Sequence, residues 1–156
     1  MPEHQRRAIA MTPAEVDTYL AERHHATVCS LNHDGSIHAV AMWYGFLDGR
    51  LAVHTKAKSQ KVQNLRRNGA TTWLVESGTR YEELRGVELV GHAEIVEDPG
   101  RLFSVGASVY GRYLGPYTDE ARPFVEETLQ KRVAIVLSVT RTVSWDHRKL
   151  ADRAPR

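Results

Sequence analysis

The stretch Ile37–Phe46 constrains this chain more than any other. Alternate residues of a strand face opposite ways. Here both faces are largely apolar: Ile37, Ala39, Ala41 and Trp43 on one, Val40, Met42, Tyr44 and Phe46 on the other. Such a strand must be covered on both sides. A barrel interior can take one face, which leaves the other for a ligand or a second subunit. Its neighbours carry strand patterns too. Thr27–Leu31 precedes it across the hairpin signal Asn32-His33-Asp34-Gly35, and Asp48-Gly49 turns the chain into Leu51–Thr55. Ala70–Glu76 is another strand. In Leu84–Val96, Val87, Leu89, Gly91, Ala93 and Ile95 alternate with Glu88, Val90, His92 and Glu94. Val133–Val139 and Thr142–Trp145 read as the last two strands.

Helices punctuate this pattern. Thr12-Pro13-Ala14-Glu15 is a capping box with proline in the first turn, and Val16, Tyr19 and Leu20 share a face, so a helix runs to about Arg23. Asp98-Pro99 opens another, and a further helical stretch spans about Glu120–Arg132. Antiparallel strands joined by short turns, with a few helices, give a mainly-β expectation: a small β-barrel with peripheral helices in a single domain, residues 12–150. Residues 1–11 and 151–156 read as flexible termini.

The net charge of +2 is too small for a general nucleic-acid or membrane binder. No apolar run approaches the ~20 residues of a membrane span, and the N-terminus lacks the apolar stretch of a signal peptide. Cys29 is the single cysteine, which excludes an intramolecular disulfide and any multi-cysteine metal site and fits a reducing compartment. The expectation is therefore a cytoplasmic protein with no nucleic-acid, membrane or metal partner. None of the histidines has the paired spacing of a metal-binding helix; His38 and His54 lie on strands that could be adjacent.

Basic residues are instead concentrated locally. Thr55, Lys56, Lys58, Ser59 and Lys61 crowd the junction where a strand ends and a short basic helix begins, and Arg66 and Arg67 follow. Hydroxyls, ammonium groups and the free N–H groups of a helix start suit a phosphate. A solvated basic helix with Val62 and Leu65 packed inward is the plainer alternative. No Gly-x-Ser-x-Gly, Walker or Gly-x-Gly-x-x-Gly motif occurs, and no self-contained catalytic set is visible. If the chain is an enzyme, a cofactor carries the reaction.

Five landmarks in order carry a family resemblance: Ala41-Met-Trp-Tyr44 with Leu51-Ala-Val-His-Thr55; Ser59-x-Lys61-x-x-x-Leu65; Tyr81-x-x-Leu84-Arg-Gly-Val87; Val90-Gly-His-Ala93; and Ser144-Trp-Asp-His-Arg-Lys-Leu150. The chain resembles the pyridoxamine 5'-phosphate oxidase-like oxidoreductases, whose fold is the FMN-binding split β-barrel. The resemblance implies a homodimer with two cofactors at the subunit interface. It implies that Thr55, Ser59 and Lys61 hold the cofactor phosphate, that Lys56 and Lys58 add positive potential, and that Val40, Ala41, Met42 and Trp43 line the ring system with His54 nearby. Gly86 and Trp145 would be contacts from the partner subunit.

The departures from the family pattern are informative. Pyridoxamine phosphate oxidases carry an Arg and a Lys where this chain has Ala39 and Tyr44, and the Arg usually before the phosphate lysine is Gln60 here. Their C-terminal Arg-x-His pattern is absent. The chain looks more like the branch that uses the deazaflavin coenzyme F420, with FMN as the alternative. The implied activity is hydride transfer from reduced F420 to an unsaturated or quinone-like organic acceptor. The residues alone name no catalytic group; water or a tyrosine such as Tyr44 is the candidate proton donor, and Tyr110 and Tyr113 are candidates for the substrate side or equally for helix packing. The rivals are an FMN-dependent reductase or oxidase, a non-enzymatic flavin- or haem-binding protein, and a small-barrel nucleic-acid module.

Overall fold

The structure, a computed structural model, describes residues 2–153. Seven strands form one antiparallel sheet: β1 (Ala26–Leu31), β2 (Ile37–Met42), β3 (Gly45–Leu47), β4 (Arg50–Lys56), β5 (Ala70–Ser77), β6 (Arg85–Val96) and β7 (Arg132–Asp146). Their order is β2-β1-β5-β6-β7-β4-β3. The two edge strands, β2 and β3, are consecutive in the chain and only Trp43 and Tyr44 separate them. So short a link between opposite edges requires the sheet to curl round on itself into a split barrel.

The alternating positions fill this barrel. Val28 of β1, Val53 of β4, Trp73 and Val75 of β5, Val87 of β6 and Ile135 of β7 are fully buried in one core. Five helices surround it: α1 (Glu3–Ile9), α2 (Pro13–Ala21), α3 (Gln60–Arg67), α4 (Pro99–Tyr113) and α5 (Arg122–Thr128). Tyr19 and Leu20 of α2 and Val62 and Leu65 of α3 join the barrel core. A second core lies outside the barrel, where Val105 and Val109 of α4 pack on Ala52 of β4 and on Ala134 and Val136 of β7. That layer covers only the β3-β4-β7 side. Along β2 burial alternates, with Ile37, Ala39 and Ala41 facing out, and Ile37 is 70% exposed.

Four elements differ from the sequence expectation. Residues 3–9 form a helix whose Ile9 is buried, and Lys149 donates to the carbonyl of Ala10 just after it. The strand beginning at Ile37 stops at Met42 rather than Phe46. The helix expected over Glu120–Arg132 is cut to α5 by a turn at Lys131, whose φ is +58°. The two expected last strands are one strand, β7, with a bulge opposite Val90/Gly91. The flexible C-terminus expected over 151–156 lies partly, at 154–156, outside the described residues.

Candidate functional site

β4 ends at Thr55-Lys56, and a tight turn closed by Ser59 N–H donating to the Lys56 carbonyl (3.0 Å) feeds α3. Lys61 Nζ donates to the buried Thr55 Oγ1 at 3.0 Å. Ser59 occupies the cap position of α3 but makes no capping hydrogen bond. Its Oγ is occluded and has no partner among the described residues. Leaving a buried hydroxyl unpaired costs about 1–3 kcal/mol, so such groups are few in folded proteins. The first-turn N–H groups of Gln60, Lys61 and Val62 likewise have no carbonyl one turn back to bond.

A further cation lies near enough to act on Lys61, on the His54 side of β4. In the β4–β7 register Arg132 lies across from Lys56. Its guanidinium donates to the His54 carbonyl at 3.5 Å and to His54 Nδ1 at 3.4 Å. Neither Arg132 nor Lys61 pairs with a carboxylate among the described residues. Burial, and then the Arg132 charge, hold the Lys61 ammonium below the usual lysine range. Two neighbouring cations, an orphaned hydroxyl and a helix start favour an anion among them. Arg132 escaped the sequence reading because only the pairing of β4 with β7 brings it here.

His54 points the other way from Thr55. Burial, and then Arg132, push its imidazole down to about 4. It lines a cavity roofed by α4 and α5, with Trp43 at the rim. Trp43 stacks on Tyr113, with ring centroids 4.6 Å apart, and donates from Nε1 to His25 Nε2 at 3.3 Å. Tyr44 is fully buried, donates its hydroxyl to the Leu20 carbonyl at 2.8 Å, and is pushed far up by burial. Held in this way it is no proton donor to a ligand, which corrects the sequence expectation.

The remaining expected site residues are spread more widely. Val40 and Met42 face the barrel interior, while Ala41 faces out beside Trp43. Lys56 and Lys58 are exposed near the pocket. Arg66 instead pairs with Glu97 and Arg67 donates to the Leu31 carbonyl, so neither is directed at Lys61 and Ser59. Gly86 and Trp145 are register partners at the opposite end of β7 from Arg132. A Cβ on Gly86 would collide with the Trp145 ring, so glycine is what allows the indole to lie there. Within one chain the structure does not bring this pair to Lys61. His38 and His54 are not on hydrogen-bonded neighbouring strands either.

Comparison with known proteins agrees with this architecture. No curated protein matches the sequence significantly. Among solved structures, a conserved hypothetical protein from Mycobacterium tuberculosis is 46% identical, with a TM-score of 0.91 over 97% of this chain and 93% of that one. An F420 reductase is 26% identical, with a TM-score of 0.63 over 81% and 94% of the two chains. The haem storage protein HutZ of Vibrio cholerae is 14% identical, with a TM-score of 0.66 over 85% and 94%, a likeness of fold alone. The family model described as pyridoxamine 5'-phosphate oxidase matches residues 12–146, and with the curled seven-stranded sheet this makes the chain a member of the pyridoxamine 5'-phosphate oxidase-like split β-barrel family.

Proposed function

We propose that this chain is an oxidoreductase that binds a phosphate-bearing deazaflavin, coenzyme F420, with FMN as the alternative cofactor. The observation that carries the reading is the buried, unpartnered Ser59 Oγ beside the Lys61–Thr55 contact. Those residues fit a phosphate: Ser59 and Thr55 supply hydroxyls, Lys61 a charge-assisted donor, and the start of α3 its free N–H groups. Arg132 adds positive charge from β7. The backbone of Val40–Trp43 would orient the ring system. When bound, the reduced deazaflavin supplies a hydride to an unsaturated or quinone-like organic acceptor. The protein's part is to hold the phosphate, exclude water and present the acceptor.

The similarity to an F420 reductase supports the deazaflavin. With Arg66 and Arg67 engaged elsewhere, the positive charge free to meet a longer acidic tail reduces to Lys56 and Lys58. FMN's single phosphate makes no demand on those two lysines, which keeps it the alternative.

The outward face of β2 and β1 supports a homodimer. Ile37 and Leu31 are exposed there beside Ala39, Ala41 and the half-buried Cys29. A second copy on this face would cover apolar surface that a monomer leaves in water. It would also supply Gly86 and Trp145 to the cofactor in trans. Mass and absorbance analysis of cofactor released from the purified protein tests the assignment. A deazaflavin spectrum and mass support it, FMN moves it to the alternative, and a Soret band would replace it with haem binding.

A further inference from the structure

The cavity under α4 and α5 has a volume of about 160 Å³. Its lining is mainly apolar, with Val109 and Leu129 among it, and His54, Tyr110 and Thr128 add polar groups. Gly106 shapes the roof, since a Cβ there would stand 2.7 Å from Leu129 Cδ1 and force α4 away from the residues after α5. Trp43, Leu114 and Phe124 also line it and are 44%, 51% and 53% exposed. Large apolar side chains left in water around one opening mark a place where a ligand enters.

Among the polar groups, Thr128 spends its hydroxyl on the Phe124 carbonyl, and His54 is specific in kind. Arg132 can only donate, so His54 Nδ1 must accept and the ring proton sits on Nε2. That N–H has no protein partner among the described residues. We propose that this cavity binds a neutral, single-ring molecule bearing one carbonyl oxygen, which accepts from His54 Nε2.

Size, polarity and charge each narrow the ligand. An apolar cavity of ~150 Å³ is large enough for benzene, so the space here takes one ring with a small substituent. No lysine or arginine lines the cavity to pair a carboxylate, whose burial is costly. Arg132 behind the imidazole polarises it and strengthens the outward N–H as a donor. The cavity and the phosphate cluster lie on opposite faces of β4, joined through Arg132. Under the proposed function the cavity is where the acceptor docks; that clause rests on the cofactor reading, while the binding itself does not.

The test uses the apo-protein, so its outcome is separate from that of the cofactor assignment. Acetophenone and its near-isostere α-methylstyrene, which lacks the carbonyl, are titrated while methyl resonances are followed by NMR. The expected result is shifts confined to Val109, Leu114, Val125 and Leu129, with acetophenone binding about threefold to tenfold tighter, the range of one neutral hydrogen bond. In His54→Phe the two probes should bind equally. In Leu114→Trp, a change at an exposed rim position that folding tolerates, both should lose binding. Equal affinity of the two probes for the wild type, shifts elsewhere, or unchanged binding in Leu114→Trp would each overturn the proposal. Cofactor binding without acetophenone binding would leave the oxidoreductase reading standing and remove this one.

Discussion

At His54 the balance of charge and burial has a consequence for stability. Its pKa falls from 6.5 to about 4 because burial and then Arg132 disfavour the imidazolium. Between those values the unfolded chain binds a proton that the folded chain does not, so stability falls as pH falls from about 6.5 to about 4. The full difference is about 3 kcal/mol. Urea denaturation of wild type and His54→Phe between pH 4 and 7.5 should show a steeper acid loss in the wild type. Parallel pH profiles would show that His54 titrates normally. Lys61 gives a second test, on binding. Among the described residues its ammonium is held by Thr55 alone, so Lys61→Ala should fold normally and weaken cofactor binding about ten- to a hundredfold. Unchanged affinity for both F420 and FMN would remove Lys61 from the site.

Among the elements, α3 depends on one buried polar residue. Asn64 is fully buried; its amide donates to Ser30 Oγ and Asn32 Oδ1, and its oxygen accepts from Gln60 and Arg67. Asn64→Ala would leave several of these groups unpaired and should lower stability by about 1–3 kcal/mol, read as a lower urea midpoint. A midpoint within error of wild type would show that water replaces the network. The sequence showed α3 through Val62 and Leu65, but Asn64 shares their buried side and carries no apolar signal. Local signals worked where local chemistry decides. Thr12 and Glu15 do form the capping box of α2, Gly35 takes its positive φ in the β1–β2 hairpin, and Asp98 caps α4. They failed where tertiary contact decides. α1 is held by Ile9 and by Lys149 from far along the chain, and α5 stops short although Leu129 and Arg132 continue its spacing. The bulge in β7 looks like a strand end until β6 is there to pair with. Thr55, Ser59 and Lys61 are close in sequence, so a candidate anion site could be proposed from it; Arg132, 71 positions beyond Lys61, could not.

For the whole molecule, the two faces of β2 make the decisive demand. One fills the barrel with Val40 and Met42, and the other leaves Ile37, Ala39 and Ala41 outside. We expect a dimer in solution, and Ile37→Glu should shift it toward monomer by placing a charge in an apolar interface. Light scattering that gave a monomer mass for the wild type at micromolar concentration, with cofactor bound, would contradict this. Lys61, Ser59 and Thr55, with Arg132 adding charge from β7, carry the central claim, an anion pocket for a cofactor phosphate. FMN and riboflavin differ only in that phosphate, and the deazaflavin differs from its phosphate-free chromophore by the phosphate and the acidic tail beyond it, so titrating both pairs into apo-protein, alongside Lys61→Ala, isolates it. The account predicts that the phosphorylated member of at least one pair binds about ten- to a hundredfold tighter, with the difference lost in Lys61→Ala. Equal binding within both pairs, or a preference that survives in Lys61→Ala, would contradict it.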